Sequence, residues 1–345
     1  MSGAPERAGS GRPGRAARRR ARRRPPPLPQ REGLDAVHWR VPHGEISAGT
    51  ALEALARRFP ALTAPEATPL PARFAAGEIV DADGRAWSPL DLLSPGDELW
   101  FHRELRPEQV PELELRILHH DDHLLVLDKP HDMATMPRGA HVLASALVRL
   151  RRRTGVETLV PLHRLDRRTA GVLAFGIHPH ERSAYQQLFA RAEVGKEYEA
   201  RLLPSATSSL PGQLGETCSL RDHLVKRRGE LTAQVLPGVP NAESELEVIA
   251  PAPGEAAGVL SVLLRPRTGR THQLRVQLSS RGAPILGEDL YWPVQRPRPS
   301  SQVWPEELPL QLLARRLRFV DPITGEQRDF RSSQTLDAGS RTLRP

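Results

Sequence analysis

The stretch His163-Arg164-Leu165-Asp166-Arg167-Arg168-Thr169-Ala170-Gly171 sets one carboxylate among three arginines, directly ahead of the apolar run Val172-Leu173-Ala174-Phe175. Guanidiniums that close favour the ionised carboxylate, so Asp166 is suited to act as a charged nucleophile or base rather than as a proton donor at neutral pH. An Asp before a strand is also an ordinary turn former or ion-pair partner, and the charge pattern alone leaves both readings open.

The wording of this stretch resembles the His-Arg-Leu-Asp-x-x-Thr-Ser/Ala-Gly signature of the RluA-type pseudouridine synthases. Further segments are similar to that family's in the same order: Asp122-His123-Leu124-Leu125-Val126-Leu127-Asp128-Lys129-Pro130, then Gly195-Lys196-Glu197-Tyr198-Glu199-Ala200, then Thr268-Gly269-Arg270-Thr271-His272-Gln273-Leu274-Arg275, and Gly282 to Tyr291. The likeness spans roughly residues 112 to 332. It implies an enzyme that isomerises specific uridines in structured RNA, rRNA or tRNA, by breaking the C–N glycosidic bond, turning the base and forming a C–C bond. It implies no cofactor and no metal. Reaching a uridine inside folded RNA means extruding the nucleotide, at a cost of a few kcal/mol that a pocket must offset.

The resemblance also assigns residues. Asp166 is implied as the catalytic carboxylate, Tyr198 as the aromatic against the flipped base with a hydroxyl able to relay a proton, and Arg275 as the cation that keeps Asp166 ionised and aimed. Leu274 is implied as a pocket wall, and Arg164, Lys129, Arg270 and Lys196 as substrate-binding residues that position phosphate and loop. Without the resemblance, Tyr198 reads as a strand tyrosine and the four cations as surface charges. Two positions depart from the family pattern: Asp132 stands where it usually has Gly, and Leu313 where it commonly has His. A catalytically silent RNA-binding protein on the same fold is the alternative reading. An aspartate hydrolase would want a second carboxylate or a metal beside the first.

The elements that must position these residues are legible as periodicities. Leu52, Leu55, Ala56 and Phe59 recur at helical spacing up to Pro60; Gly77 to Gly84 reads as strand, turn, strand, and Leu93 to Phe101 as a turn into a strand. This order, over residues 37–105, resembles a degenerate S4-type RNA-binding domain. After the proline-bearing linker at 104–113, strands are expected at 113–117 and 124–127, helices at 141–152, 182–191 and 271–280, strands at 243–249 and 258–264, and a closing hairpin over 312–330. Pro204 to Asn241, rich in Ser, Pro and Gly, reads as an irregular hairpin excursion, and Pro293 to Pro309 as a surface loop. The fold class expected is α+β, with a mixed, largely antiparallel sheet domain of the pseudouridine synthase type over residues 112–335. A disordered Arg/Pro-rich tail over 1–36 and a C-terminal tail over 336–345 flank the two domains. The turn His119-His120-Asp121-Asp122-His123 offers metal-ligand types, but side chains around a strand turn alternate in direction and do not converge.

Charge and composition limit the function classes. Net charge is +8, but residues 1–31 hold ten arginines against Glu6 alone, +9, which leaves 8 − 9 = −1 for the rest. An RNA surface on the body must therefore come from local clustering, and Arg265, Arg267, Arg270, Arg275 and Arg281 fall within seventeen residues without one acid. Three lysines stand against 49 − 3 = 46 arginines, and two of them, Lys129 and Lys196, lie in the family-like segments. The single cysteine, Cys218, rules out an intramolecular disulfide and points to a reducing, cytoplasmic setting. No apolar run reaches a membrane span, and the partner that the resemblance implies is RNA, met by a monomer.

Overall fold

In the computed structural model, residues 25–43, 49–105, 107–139, 141–250, 259–291 and 308–336 are described, and the chain divides into one unit within Met1–Pro107 and another within Glu108–Pro345. In the first, β1 (Val37–Arg40) pairs antiparallel with β2 (Glu98–Phe101). Helix α1 (Ala51–Arg58) starts at Thr50, whose side chain accepts the Glu53 N–H while the Glu53 carboxylate accepts the Thr50 N–H. Such a reciprocal cap satisfies two helix-end donors. With α2 (Leu70–Ala75) it lays Leu55, Leu70 and Phe74 against Ile79, Leu99 and Phe101. The expected hairpin after Gly77 reduces to single bridges of Val80 with Ala86 and with Trp100. Residues 25–36, expected to be disordered, include an Arg31–Leu34 bridge, and the Pro29 carbonyl bonds the His102 ring; residues 1–24 lie outside the described ones.

The second unit is built on an 11-stranded sheet. Strands β3 (Arg116–His120), β4 (Leu124–Lys129), β5 (Val160–Pro161) and β6 (Ala170–Gly176) form one side. Strands β7 (Gly195–Leu202), β8 (Thr217–Val225), β9 (Gln234–Leu236), β10 (Ala242–Ala250) and β11 (Leu260–Pro266) form the other. Strand β12 (Leu312–Val320), paired with β13 (Gln327–Arg331), joins them: its one flank runs parallel to β6 and its other antiparallel to β7. Every other pairing in the sheet is antiparallel. The mixed, largely antiparallel sheet expected from the sequence is what the chain forms.

Residues in β4 and β6 are buried throughout, which marks strands covered on both faces. Leu125, Leu127, Leu173 and Phe175 pack on α3 (Ala146–Thr154) through Leu147 and Leu150. From the opposite face Leu124, Val126, Val172 and Ala174 meet Tyr185 of α4 (Arg182–Ala190), whose hydroxyl donates to Asp321 at 2.9 Å. Helix α5 (Gln273–Ser280) sets Leu274 and Leu278 against Leu202, Val262 and Leu264.

Two local expectations are corrected. The helix expected from residue 141 begins at 146, because the Glu108 carboxylate takes the N–H groups of Val142, Leu143 and Ala144 and holds that segment outside the helix. The excursion at 204–241 forms the expected hairpin, β8 against β9, but is less irregular than expected: β8 runs nine residues, and because it buries only Leu220 and Leu224 it shows a weak period in sequence. The expected surface loop after Pro293 lies outside the described residues up to 307.

Candidate active site

Asp166 sits on the loop between β5 and β6, and that loop is clasped from beneath by the segment after β4. The Thr135 hydroxyl donates to the Leu165 carbonyl at 2.7 Å and accepts the Leu165 N–H at 3.1 Å. Lys129 Nζ donates to the carbonyl of Arg167 at 3.2 Å, as well as to those of Met133 and Pro130, and the His131 ring bonds the Arg168 carbonyl at 2.8 Å. The Thr169 N–H closes the turn on the Asp166 carbonyl at 3.1 Å. Beneath the loop, His163 accepts the Ala174 N–H and stacks on Phe189; burial, helped by Lys196, pushes its imidazole down to about 3.

Past Asp166, the entry to β6 leaves no room for a side chain. Gly171 has φ +109°, and a Cβ there would lie 2.2 Å from the carbonyl oxygen of Ala314, its partner on β12. Asp132, which stands where the family pattern usually has Gly, takes φ 59°, the left-handed conformation a glycine would supply, so the turn is kept by an Asp. Its carboxylate lies 3.3 Å from Arg167 and 4.0 Å from Arg168, tying the turn to the loop.

Around Asp166 opens a cavity of about 390 Å³, within the range of small-ligand clefts. Arg164, Asp166, Lys196, Tyr198, Arg270, His272, Leu274 and Arg275 all line it, so seven of the eight assigned site residues converge there from β7, the loop after β11, α5 and the 163–169 loop. Among the described lining residues Asp166 is the one carboxylate, facing four cations. Burial, and secondly the charge on Asp166, push the Tyr198 hydroxyl well above its ordinary range, so it enters the pocket as a proton-bearing donor. Burial holds the Lys196 ammonium below its usual value, with one bond at 3.3 Å to the Thr268 carbonyl. Arg270 donates to the Asn241 carbonyl.

The eighth residue, Lys129, is corrected in part: of the phosphate and loop positioning assigned to it, only the loop contact is present. It is fully buried, and its three bonds go to backbone carbonyls, so it holds the loop and cannot reach a phosphate. Burial pushes its ammonium down to about 7 against the pull of Asp166 and Asp132. Arg275 is corrected in part. Its Nη1 is 4.0 Å from Asp166 Oδ2, whereas Nε lies 2.8 Å from Glu288, Nη2 pairs with the other Glu288 oxygen, and Nη2 is 2.7 Å from Asp289. Burial works against its charge, yet Glu288, Asp166 and Asp289 together outweigh this and hold the guanidinium above its ordinary value.

Glu288, Tyr291, Thr135 and His272 were not among the residues expected at the site. Glu288, in the segment after Gly287, also accepts the N–H groups of Asp289, Leu290 and Tyr291, and so holds Arg275 with a carboxylate that is itself fixed. His272 Nε2 lies 3.8 Å from Asp166 Oδ1, and Nδ1 is 2.7 Å from the Tyr291 hydroxyl. The arginine cluster at 265–281 is also not a bare basic patch. Arg265 meets Glu247 at 2.9 Å, Arg267 meets Glu245 at 2.7 Å and Arg281 meets Asp222 at 2.9 Å, acids supplied by β10 and β8. At the turn after β3, His119 bonds Asp121 and His123 bonds Glu181, and among the described residues no three ligand-type side chains are grouped to hold a metal.

Residues 123–280 match the family model described as RNA pseudouridylate synthase. An uncharacterized RNA pseudouridine synthase of Synechocystis is 30% identical over 220 residues, which cover 62% of this chain and 71% of that protein. The dual-specificity RNA pseudouridine synthase RluA of Escherichia coli is 32% identical over 188 residues, 54% of this chain and 80% of that one. Its counterpart in Haemophilus influenzae is 29% identical over 231 residues, covering 65% and 95%. Among solved structures, human RNA pseudouridylate synthase domain containing 1 superposes with a TM-score of 0.51 at 23% identity, covering 67% of this chain and 86% of that one, a likeness of fold. With the Asp-bearing loop, Tyr198 and Arg275 lining one cavity, the matches at 30% and 32% identity, which cover 71% and 80% of those proteins, place the chain in the RluA-type family of RNA pseudouridine synthases, isomerases that act on RNA.

Proposed function

We propose that this enzyme isomerises specific uridines in a structured rRNA or tRNA, with Asp166 as the catalytic carboxylate. The observation that carries the reading is that Asp166 is the one carboxylate among the described residues of a cavity whose lining also includes Tyr198 and four cations, Arg164, Lys196, Arg270 and Arg275. The substrate nucleotide is flipped into the cavity, and Asp166 acts on its ribose or base while N1–C1′ breaks. The uracil then turns, C5–C1′ forms, the C5 proton leaves and N1 takes one up. Tyr198 stacks on the base, an interaction of about 1–3 kcal/mol, and its protonated hydroxyl serves as a donor to the turning ring. Arg275 keeps positive charge beside Asp166 Oδ2. Arg164, Arg270 and Lys196 rim the cavity and take the phosphates around the flipped nucleotide, and Leu274 walls it. The hydrolase reading finds no second carboxylate among the described residues of the cavity.

The smaller unit, with its strand–helix–helix–strand order over 37–105, serves on this reading as an S4-like RNA-binding module, and the protein works as a monomer in the cytoplasm. The central test is Asp166→Asn, which keeps the side-chain volume and removes the charge. Release of tritium from RNA carrying 5-tritiated uridine should fall by at least about 10³-fold, with RNA affinity and thermal midpoint unchanged. A near-normal single-turnover rate in the Asn variant would remove Asp166 from the chemistry.

A further inference from the structure

His272 precedes α5 in the left-handed region, at φ 54° and ψ 23°. Side chains other than glycine enter that region at a cost, and such residues persist where the surroundings hold them, often at functional sites. The position is that of a helix cap, yet its side chain makes no capping bond. The ring instead spans two groups, with Nδ1 2.7 Å from the Tyr291 hydroxyl and Nε2 3.8 Å from Asp166 Oδ1.

The contacts of Tyr291 bear on where the ring proton sits. The Tyr291 oxygen accepts the Ala233 N–H at 2.8 Å, and among the described residues Nδ1 is the one acceptor placed for the phenol proton. The arrangement that pairs the phenol proton within the described residues has Tyr291 donate to Nδ1, and the imidazole then carries its proton on Nε2, toward Asp166. The charged and titratable groups facing the ring are Asp166, Arg275, Glu288, Arg164 and Tyr291. Burial first, then Arg275 and Arg164, outweigh the two carboxylates and hold the ring below its usual pKa, in agreement with a single ring proton. The Arg275 guanidinium lies over the Tyr291 ring at 5.6 Å and helps to keep the phenol in place.

We propose that His272 is a positioning residue for the isomerisation: the Tyr291 hydroxyl fixes its tautomer, and its Nε2–H orients the Asp166 carboxylate across the pocket. This rests on Asp166 being the catalytic carboxylate. Each carboxylate oxygen then has its own donor, the imidazole on Oδ1 and the Arg275 guanidinium, 4.0 Å away, on Oδ2. Both gaps exceed a formed hydrogen bond, and contacts of this kind tighten when substrate fills the site.

The experiment uses the full-length protein labelled with ¹⁵N-histidine, with the His272 signals assigned by their loss in His272→Gln. At pH 7 the wild-type ring should show a protonated Nε2 and a bare Nδ1. Tyr291→Phe removes the donor that opposes protonation of Nδ1, so the imidazole pKa should rise and the acid limb of the single-turnover rate should move upward. Turnover in that variant should fall about tenfold, the loss of one positioning bond, with RNA affinity unchanged. The amide of Gln reaches the place of Nε2 and that of Asn the place of Nδ1. His272→Gln should therefore outperform His272→Asn by about tenfold, whereas a role limited to backbone conformation would favour Asn. A wild-type ring protonated on Nδ1, or Asn equal to or better than Gln, overturns the proposal. An inactive Asp166→Asn enzyme beside a fully active Tyr291→Phe sinks this inference alone. An active Asp166→Asn enzyme sinks the assignment beneath it, and the tautomer is still read directly.

Discussion

Arg275 serves the fold and the pocket at once, because its firm partners are not the residue it faces across the cavity. It is 3% exposed and Glu288 0%, so truncating the arginine strands a buried charge whose remaining partners are backbone N–H groups. Breaking such a pair typically costs about 3–5 kcal/mol. Arg275→Met is expected to lower the unfolding free energy by roughly that amount in addition to its effect on turnover. Adding Glu288→Gln removes the stranded charge and should recover part of the stability but none of the activity. Urea unfolding of the two single variants and the double variant reads the coupling, and a value near zero would mean that the two residues do not interact.

The 163–169 loop owes its shape to the strands at its ends and the segment under it. At its far end, any side chain on residue 171 meets the β12 backbone, and the positive φ adds strain. Gly171→Ala should therefore destabilise by more than about 4 kcal/mol or prevent folding, seen as an absent or strongly lowered thermal transition. At its near end, His163 stays neutral in the fold down to about 3, whereas the unfolded chain protonates near 6.5. The unfolded state binds the extra proton between those values, so the contribution of His163 to stability is complete above pH 6.5 and is lost as pH falls toward 3. Against a His163→Gln variant, wild type should lose up to about 1 kcal/mol per pH unit through that window. Parallel pH dependences of the urea midpoints for the two proteins would show that His163 is not held neutral.

Across the whole molecule, charge is divided unevenly. Residues 1–24 carry nine arginines and Glu6, +8, so the remaining chain has 8 − 8 = 0. Four of the five arginines of the 265–281 cluster are paired with acids, Arg275 with Glu288 among them, so the arginines of residues 1–24 are the charge to test for a hold on RNA phosphates. Deleting residues 1–24 should weaken RNA binding and flatten the log–log salt dependence by roughly 0.7 for each single-strand phosphate that the segment had neutralised. The modified uridine should stay the same, because phosphate neutralisation carries no base reading. Mapping pseudouridines in a defined transcript across a salt series with both proteins checks this. A moved site would mean that the segment positions the RNA, and an unchanged slope would mean that it does not touch phosphate.

What the sequence determined by itself was local. The Asp166 loop is one continuous stretch, β4 opens on the apolar run Leu124–Leu127 and β6 is apolar throughout, and α1 carries its own cap, so each is written in neighbouring residues. Tyr198 and Arg275 were legible because each lies within a short segment of the family pattern. The tertiary structure decided whatever depends on residues far apart in the chain. Glu288, rather than Asp166, became the close partner of Arg275; acids on β10 and β8 neutralised three arginines that look unpaired when read in order; and Lys129 turned inward to carbonyls. Most decisively, β12, from the far end of the chain, inserts between β6 and β7 and so brings the Asp166 loop beside Tyr198 and α5. Pairing across a sheet is set by backbone hydrogen bonds and by burial shared between distant strands, and neither leaves a mark within any single window of sequence.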